Sequence, residues 1–199
     1  IEEKSAARKR LGLPDCLTIL SAGGSQGASR LNEAVVQLLA YEQKKGNINH
    51  IHGYGKHGRD TFMQSLEDNG VDAGNPHFII KEYIDNMYTC MCASDLIITR
   101  AGAMTLTEIT AIGRASVLIP YPYAAENHQY YNALTLQNAN AGRIIDDKEL
   151  TGSVLIDTVN RLADDPELLR LMSENAAKLS KRDAAGKILR EITELMGIK

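Results

Sequence analysis

Six short apolar runs, each followed by a stretch whose apolar residues recur at helical spacing, constrain this chain more than any other feature. They are Cys16-Leu17-Thr18-Ile19-Leu20, residues 48–52, His77-Phe78-Ile79-Ile80, Leu96-Ile97-Ile98, Ser116-Val117-Leu118-Ile119 and Arg143-Ile144-Ile145. Short apolar runs without strict alternation read as strands buried on both faces. After the first run, Leu31, Ala34, Val35, Leu38 and Leu39 fall at i, i+3, i+4, i+7 and i+8, the spacing of one helix face. Further helices are expected over 59–69, 84–93, from near Ala103, and from about 127 to 138. Helical periodicity then runs to the end, broken at Asp164-Asp165-Pro166. Strands alternating with helices through short Gly-containing loops dictate an α/β fold, a doubly wound parallel sheet of about six strands with helices on both faces. Such sheets bind ligands beyond the carboxyl ends of their strands, where the strand order reverses.

Composition narrows the functional classes. The 199 residues suffice for one sizeable domain, and a formal net charge of −3 with no basic block argues against a nucleic-acid surface. Three cysteines, Cys16, Cys90 and Cys92, form no C-x-x-C pair, which points to a reducing compartment and away from structural zinc. No apolar run reaches membrane-spanning length, and no signal peptide opens the chain. The chain starts at Ile1, not Met, so it reads as a piece of something longer. Residues 1–14 are expected to be a charged connector, ended by Leu11-Gly12-Leu13-Pro14-Asp15, with the domain proper at 15–199.

Three loops carry candidate chemistry. Gly23-Gly24-Ser25-Gln26-Gly27-Ala28 sits between a strand and a strong helix, where glycines permit close backbone approach and Ser25 and Gln26 add donors. It lacks the Lys-Ser/Thr pair of an ATPase loop. Thr99-Arg100-Ala101-Gly102-Ala103-Met104-Thr105-Leu106-Thr107-Glu108 feeds a strand into a helix start, an anion site, with Thr105 and Glu108 on one face. A carboxylate only accepts hydrogen bonds, so beside a phosphate site Glu108 suits a ribose diol; a solvated glutamate on an exposed face would look the same. Residues 120–132 combine a rigid Pro-Tyr-Pro turn with His128, Gln129 and Asn132 on one helix face. Side-chain amides suit sugar hydroxyls, and an ordinary helix with Tyr130, Ala133 and Leu134 packed inward is the competing reading.

Other features carry less. A literal G-x-G-x-x-G at 53–58 is followed by polar residues, with Glu82 a little late as its acidic partner, and reads as a polar loop rather than a nicotinamide site. His50, His52 and His57 are expected at the surface, with no carboxylate or cysteine joining them as metal ligands. Cys90 and Cys92 are expected as small buried helix residues. No Asp-x-Asp pair occurs, so a metal-free mode of holding a nucleotide diphosphate is favoured.

Taken together, Gly23 to Ala28, Arg100 to Ile109 and Glu126-Asn127-His128-Gln129-Tyr130-Tyr131-Asn132-Ala133 resemble the carboxyl-terminal half of MurG-type glycosyltransferases, glycosyltransferase family 28. Glu82-Tyr83-Ile84-Asp85-Asn86-Met87 matches a fourth element, and the resemblance covers nearly the whole chain. It implies a Rossmann-like domain, one half of a GT-B enzyme, binding UDP-N-acetylglucosamine (UDP-GlcNAc) with no cofactor and no metal. The implied activity is inverting transfer of GlcNAc to undecaprenyl-diphospho-muramoylpentapeptide (lipid I to lipid II) in peptidoglycan synthesis. The base and the lipid I acceptor site are then expected in a separate amino-terminal domain, at the cytoplasmic face of the bacterial plasma membrane. The resemblance further implies that the loop of Ser25 and Gln26 holds the α-phosphate, while Ala103, Met104 and Thr105 take the other phosphate and the sugar. Leu106 and Thr107 belong to the same element, and Glu108 takes the ribose. Ile84 pairs with the uracil edge beside Tyr83 and Met87, and His128, Gln129 and Asn132 lie at the sugar. Glu126-Asn127 departs from relatives that carry an Asp there. A donor-binding subunit of a split transferase, or a related lipid glycosyltransferase using another UDP-sugar, remains open on the same motifs.

Overall fold

A computed structural model describes residues 1–181 and 183–197, and in it the six runs form one parallel sheet. The strands are β1 (Leu17–Ala22), β2 (Ile48–Gly53), β3 (Phe78–Lys81), β4 (Leu96–Thr99), β5 (Ala115–Leu118) and β6 (Gly142–Ile144), ordered β3-β2-β1-β4-β5-β6. At the centre Leu20 of β1 lies opposite Ile51 of β2 and Ile97 of β4. The order reverses between β1 and β4, which opens a crevice beyond their carboxyl ends.

Helices α1 (Lys4–Leu11), α2 (Ser29–Lys45), α3 (Phe62–Asp68), α4 (Met87–Ala93), α5 (Ala103–Ile112), α6 (His128–Asn138), α7 (Gly152–Ala163), α8 (Pro166–Lys178) and α9 (Ala184–Leu195) follow in chain order. Neighbouring strand residues point to opposite faces, so the sheet builds two cores. On one face Ile19, Ile98 and Val117 pack with Leu31, Leu38 and Leu39 of α2 and Leu155 and Val159 of α7. On the other, Leu20, Ile97 and Leu118 pack with Cys90 and Cys92 of α4, Ile109 of α5 and Leu136 of α6. Each such fully buried aliphatic side chain contributes about 1.5–3 kcal/mol.

Within residues 1–14, α1 is part of this packing. Ala7 and Leu13 are buried in the second core, and Arg8 bonds the Ala93 carbonyl and pairs with Asp95 and Asp15. Gly12, at φ +73°, ends the helix as the Leu-Gly-Leu-Pro run requires. Two helices start later than their periodicity suggests: a 3-10 turn over Lys56–Gly58 precedes α3, and Ile84 precedes α4 as a buried loop residue.

The histidines correct the sequence reading. His50 and His52 on β2 are wholly buried, whereas His57 is exposed. A carboxylate does join them: Glu42 of α2, also buried, lies 2.7 Å from His50 Nδ1. The Ser21 hydroxyl of β1 bridges His50 Nε2 and His52 Nδ1, each at 2.7 Å. With His50 Nδ1 donating to Glu42, Nε2 accepts from Ser21, whose oxygen accepts from His52 Nδ1. Hydrogen bonds link these polar side chains between α2, β1 and β2, although Glu42 Oε1 and His52 Nε2 are buried without a partner among the described residues.

Candidate functional site

Where the segments following β1, β2 and β3 meet α5, a cavity of about 260 Å³ opens, lined among others by Ser25, Tyr83, Ile84, Met87 and Glu108. Ile84 is buried and Met87 half-buried, which makes an apolar wall, while Tyr83 stands exposed. Glu108 points in from the exposed side of α5 and has no ion-pair partner among the described residues. Glu82 also lines the cavity but is gripped by Arg59, whose Nε and Nη2 donate to its two oxygens at 2.8 and 2.7 Å. That fork holds the Glu82 carboxyl below its ordinary range. Of these two carboxylates, Glu108 alone is left to meet a ligand.

The first glycine loop is braced by the second. Gly27, at φ +84°, lies so close to the loop after β2 that a Cβ on it would sit 2.3 Å from the Tyr54 carbonyl oxygen. Gly55, at φ +71°, would bring a Cβ to 2.2 Å from the Gly27 nitrogen. Lys56 N donates to the Ser25 carbonyl (3.1 Å) and His57 N to that of Gln26 (2.9 Å). The G-x-G-x-x-G segment is thus a polar loop, and it fixes the backbone of the Ser25 loop from behind.

Two helices begin at this rim without side-chain caps. α2 follows Ala28 and α5 follows Gly102, neither with a capping bond nor an acidic residue in its first turn. By contrast α1, α7 and α8 are capped by Glu3, Thr151 and Asp165. In α5 the first intrahelical bond runs from Leu106 N to the Gly102 carbonyl, so the amides of Ala103, Met104 and Thr105 lack an intrahelical acceptor. Those amides and the dipole form a positive end suited to phosphate oxygens.

The remaining candidates lie outside that cavity's lining. Ala103, Leu106, Thr107 and Asn132 line a second cavity of about 400 Å³ that also borders α6. Leu106 is buried in the core, and the Thr107 hydroxyl bonds back to the Ala103 carbonyl (2.9 Å). Met104 is 75% exposed, Thr105 half-buried, and Gln26 exposed beside Ser25. Gln129 Oε1 accepts from Tyr121 N (3.0 Å) and Asn132 Nδ2 donates to the Ala101 carbonyl (3.2 Å). His128 Nδ1 lies 2.9 Å from the Ala125 carbonyl. The structure therefore gathers Ser25, Tyr83, Ile84, Met87 and Glu108 about one cavity, and sets Ala103, Leu106, Thr107 and Asn132 on another that shares α5 as a wall. His128 and Gln129 sit in neither lining and tie down the loop after β5.

Sequence reasoning missed Gly53 and Glu82 as cavity residues; Gly53 ends β2, and that terminal position was the available signal. Cys90 and Cys92 are buried, as expected, and burial pushes the Cys90 thiol up to about 11. Among the described residues no cluster of three or more His, Cys, Asp or Glu is arranged to hold a metal, and no helix is long and apolar enough to cross a membrane.

The architecture is that of glycosyltransferases. Among solved structures, Acinetobacter baumannii MurG superposes with a TM-score of 0.78 at 29% identity, over 97% of this chain and 53% of that one. The C-terminal CMP-Kdo binding domain of WaaA from the same organism shares the fold, with a TM-score of 0.64 at 13% identity over 90% of this chain and 96% of that one. The chain belongs to glycosyltransferase family 28, whose C-terminal domain model matches residues 18–188. A curated relative from Desulforamulus reducens, named UDP-N-acetylglucosamine--N-acetylmuramyl-(pentapeptide) pyrophosphoryl-undecaprenol N-acetylglucosamine transferase, is 38% identical over 92% of this chain and 49% of its own. Its namesake from Desulfitobacterium hafniense is 40% identical over 90% and 49%. The chain spans about half the length of the curated relatives it matches.

Proposed function

We propose that this chain is the donor-holding half of an inverting, metal-independent transferase that moves GlcNAc from UDP-GlcNAc to lipid I. The observation that carries this reading is the meeting of an unpaired carboxylate, an apolar wall and the Ser25 loop around one cavity, beside the uncapped start of α5. Uracil lies against Ile84 and Met87, with Tyr83 at the mouth. The ribose hydroxyls donate to Glu108, and the diphosphate spans from Ser25 and Gln26 to the amides of Ala103, Met104 and Thr105. Leu106 and Thr107 set the pitch of that helix turn, and the sugar extends toward His128, Gln129 and Asn132. The Gln129 amide nitrogen and the Asn132 amide oxygen have no partner among the described residues and suit sugar hydroxyls.

In an inverting transfer the acceptor hydroxyl displaces UDP, and negative charge grows on the diphosphate. Helix-start amides aimed at that charge lower the barrier without a metal. The base that takes the acceptor proton, the lipid I site and the membrane contact belong to the other half of the enzyme, so this chain binds donor and does not turn it over alone.

Calorimetric titration with UDP tests the reading. Glu108→Ala is expected to weaken UDP by about 1–3 kcal/mol, the worth of charge-assisted bonds to hydroxyls. Unchanged affinity in a folded variant would remove the ribose assignment.

A further inference from the structure

Three loops at the rim are tied together by one carboxylate that no motif singled out. Asp147, in the 3-10 turn after β6, is largely buried, with 13% of its side chain exposed. Its Oδ1 lies 2.6 Å from Arg100 Nη1, and Arg100, itself 15% exposed, belongs to the loop between β4 and α5. The same guanidinium donates to the carbonyls of Ile119 and Pro120 in the loop after β5, and it lies over the Tyr121 ring at 5.7 Å. Arg30, in the first turn of α2, approaches Asp147 Oδ2 at 3.5 Å and bonds the Lys148 carbonyl. Tyr121 N in turn holds the side chain of Gln129.

We infer that Asp147 is a positioning residue for the sugar end of the donor: steadied by Arg30, it holds Arg100 against the 119–129 loop and so sets where that loop and Gln129 stand. Two further facts support this. The loop is held in a backbone shape it does not prefer, with Glu126 at φ +50° and Asn127 at φ +56°, a region L residues seldom adopt. Such shapes persist where the surroundings over-determine them. Meanwhile the nucleotide cavity takes no lining residue from this cluster, so the two halves of the donor are held by separable sets of contacts. Removing the Asp147 charge leaves Arg100 confined without a counter-charge, and the loop it organises is what yields.

This inference rests on the proposed function, and the experiment separates the two. UDP and UDP-GlcNAc are titrated in parallel into the wild-type chain, Asp147→Asn and Asp147→Glu, with thermal melts confirming folding. Asp147→Asn is expected to lose at least tenfold in UDP-GlcNAc affinity while UDP stays within twofold, and Asp147→Glu is expected to recover part of the loss. Equal losses for both ligands, or no loss for either, overturn the positioning role. A wild-type chain that binds neither ligand overturns the underlying reading, and this inference with it. If Asp147→Asn does not fold, Arg30→Ala at the exposed end of the cluster carries the test. A smaller shift in the same direction supports the role, and an unchanged ratio of the two affinities overturns it.

Discussion

His52 shows how much a single position depends on its surroundings. Burial, and then the neighbouring His50, hold its pKa well below the ordinary imidazole value of 6.5, against a smaller opposing effect from Ser21. Its Nε2 is buried with no partner among the described residues, so a proton there would have nowhere to donate. The groups facing it are His50, Ser21 and the Phe62 ring, stacked at 4.8 Å. Because the folded pKa is depressed, the unfolded chain binds the proton first. The stability is fully present above the unfolded value and is lost as pH falls below it, by up to ~1.4 kcal/mol per pH unit. Denaturant titrations at several pH values between 7.5 and 5 should show this slope, and His52→Leu should flatten it even if that variant is less stable throughout. None of this was legible locally: the partners that bury His50 and His52 come from Ser21 and Glu42 on other elements. Ser25 and Glu108 were legible as candidates, because a loop after a strand and the first turns of the following helix face the carboxyl edge of a doubly wound sheet; Ile84, a loop residue, was singled out only by the family resemblance.

At the scale of elements, the two glycine loops behave as one unit. Gly27→Ala and Gly55→Ala each place a methyl group against backbone, at a φ that disfavours it. Each is expected to cost about 1–3 kcal/mol and to weaken UDP binding by displacing Ser25. Thermal melts paired with UDP titration check both effects; an alanine at exposed Gly46, at φ +68° with nothing within 4 Å and away from the cavity, serves as a control for the positive φ alone. The sequence marked the first loop by its place between strand and helix. At the second, the literal dinucleotide pattern was read as a polar loop, which it is, but nothing in it showed that its glycines are needed for close packing against the first loop. Such a brace joins loops far apart in the chain, and periodicity carries no record of it. The same is true of Arg100 and Asp147.

Across the whole molecule, the parallel sheet and its two cores follow from the alternation of apolar runs and helical periods, whereas the strand order is seen only in the structure. The final helix departs from that economy. Ile188, Leu189, Ile192 and Leu195 of α9 are 60%, 62%, 46% and 87% exposed, and neither core includes them. Amide hydrogen exchange is therefore expected to reach α9 well before β1 and β4, since protection follows buried apolar contact; comparable protection would show that this face is covered in solution. A sequence reading could find the helix, because its apolar spacing is regular, but not that its greasy side lies outside both cores.

The uncapped first turn of α5 carries a consequence for heat resistance. On the proposed function, a diphosphate oxygen seated on the α5 amides serves that helix as a capping side chain serves α7 or α8, and it does so only in the native state. By mass action, a nucleotide at a hundredfold excess over its dissociation constant adds about 2.7 kcal/mol to the folded form. The abundance of the sugar nucleotide would then govern how long the chain survives as well as how often it is occupied.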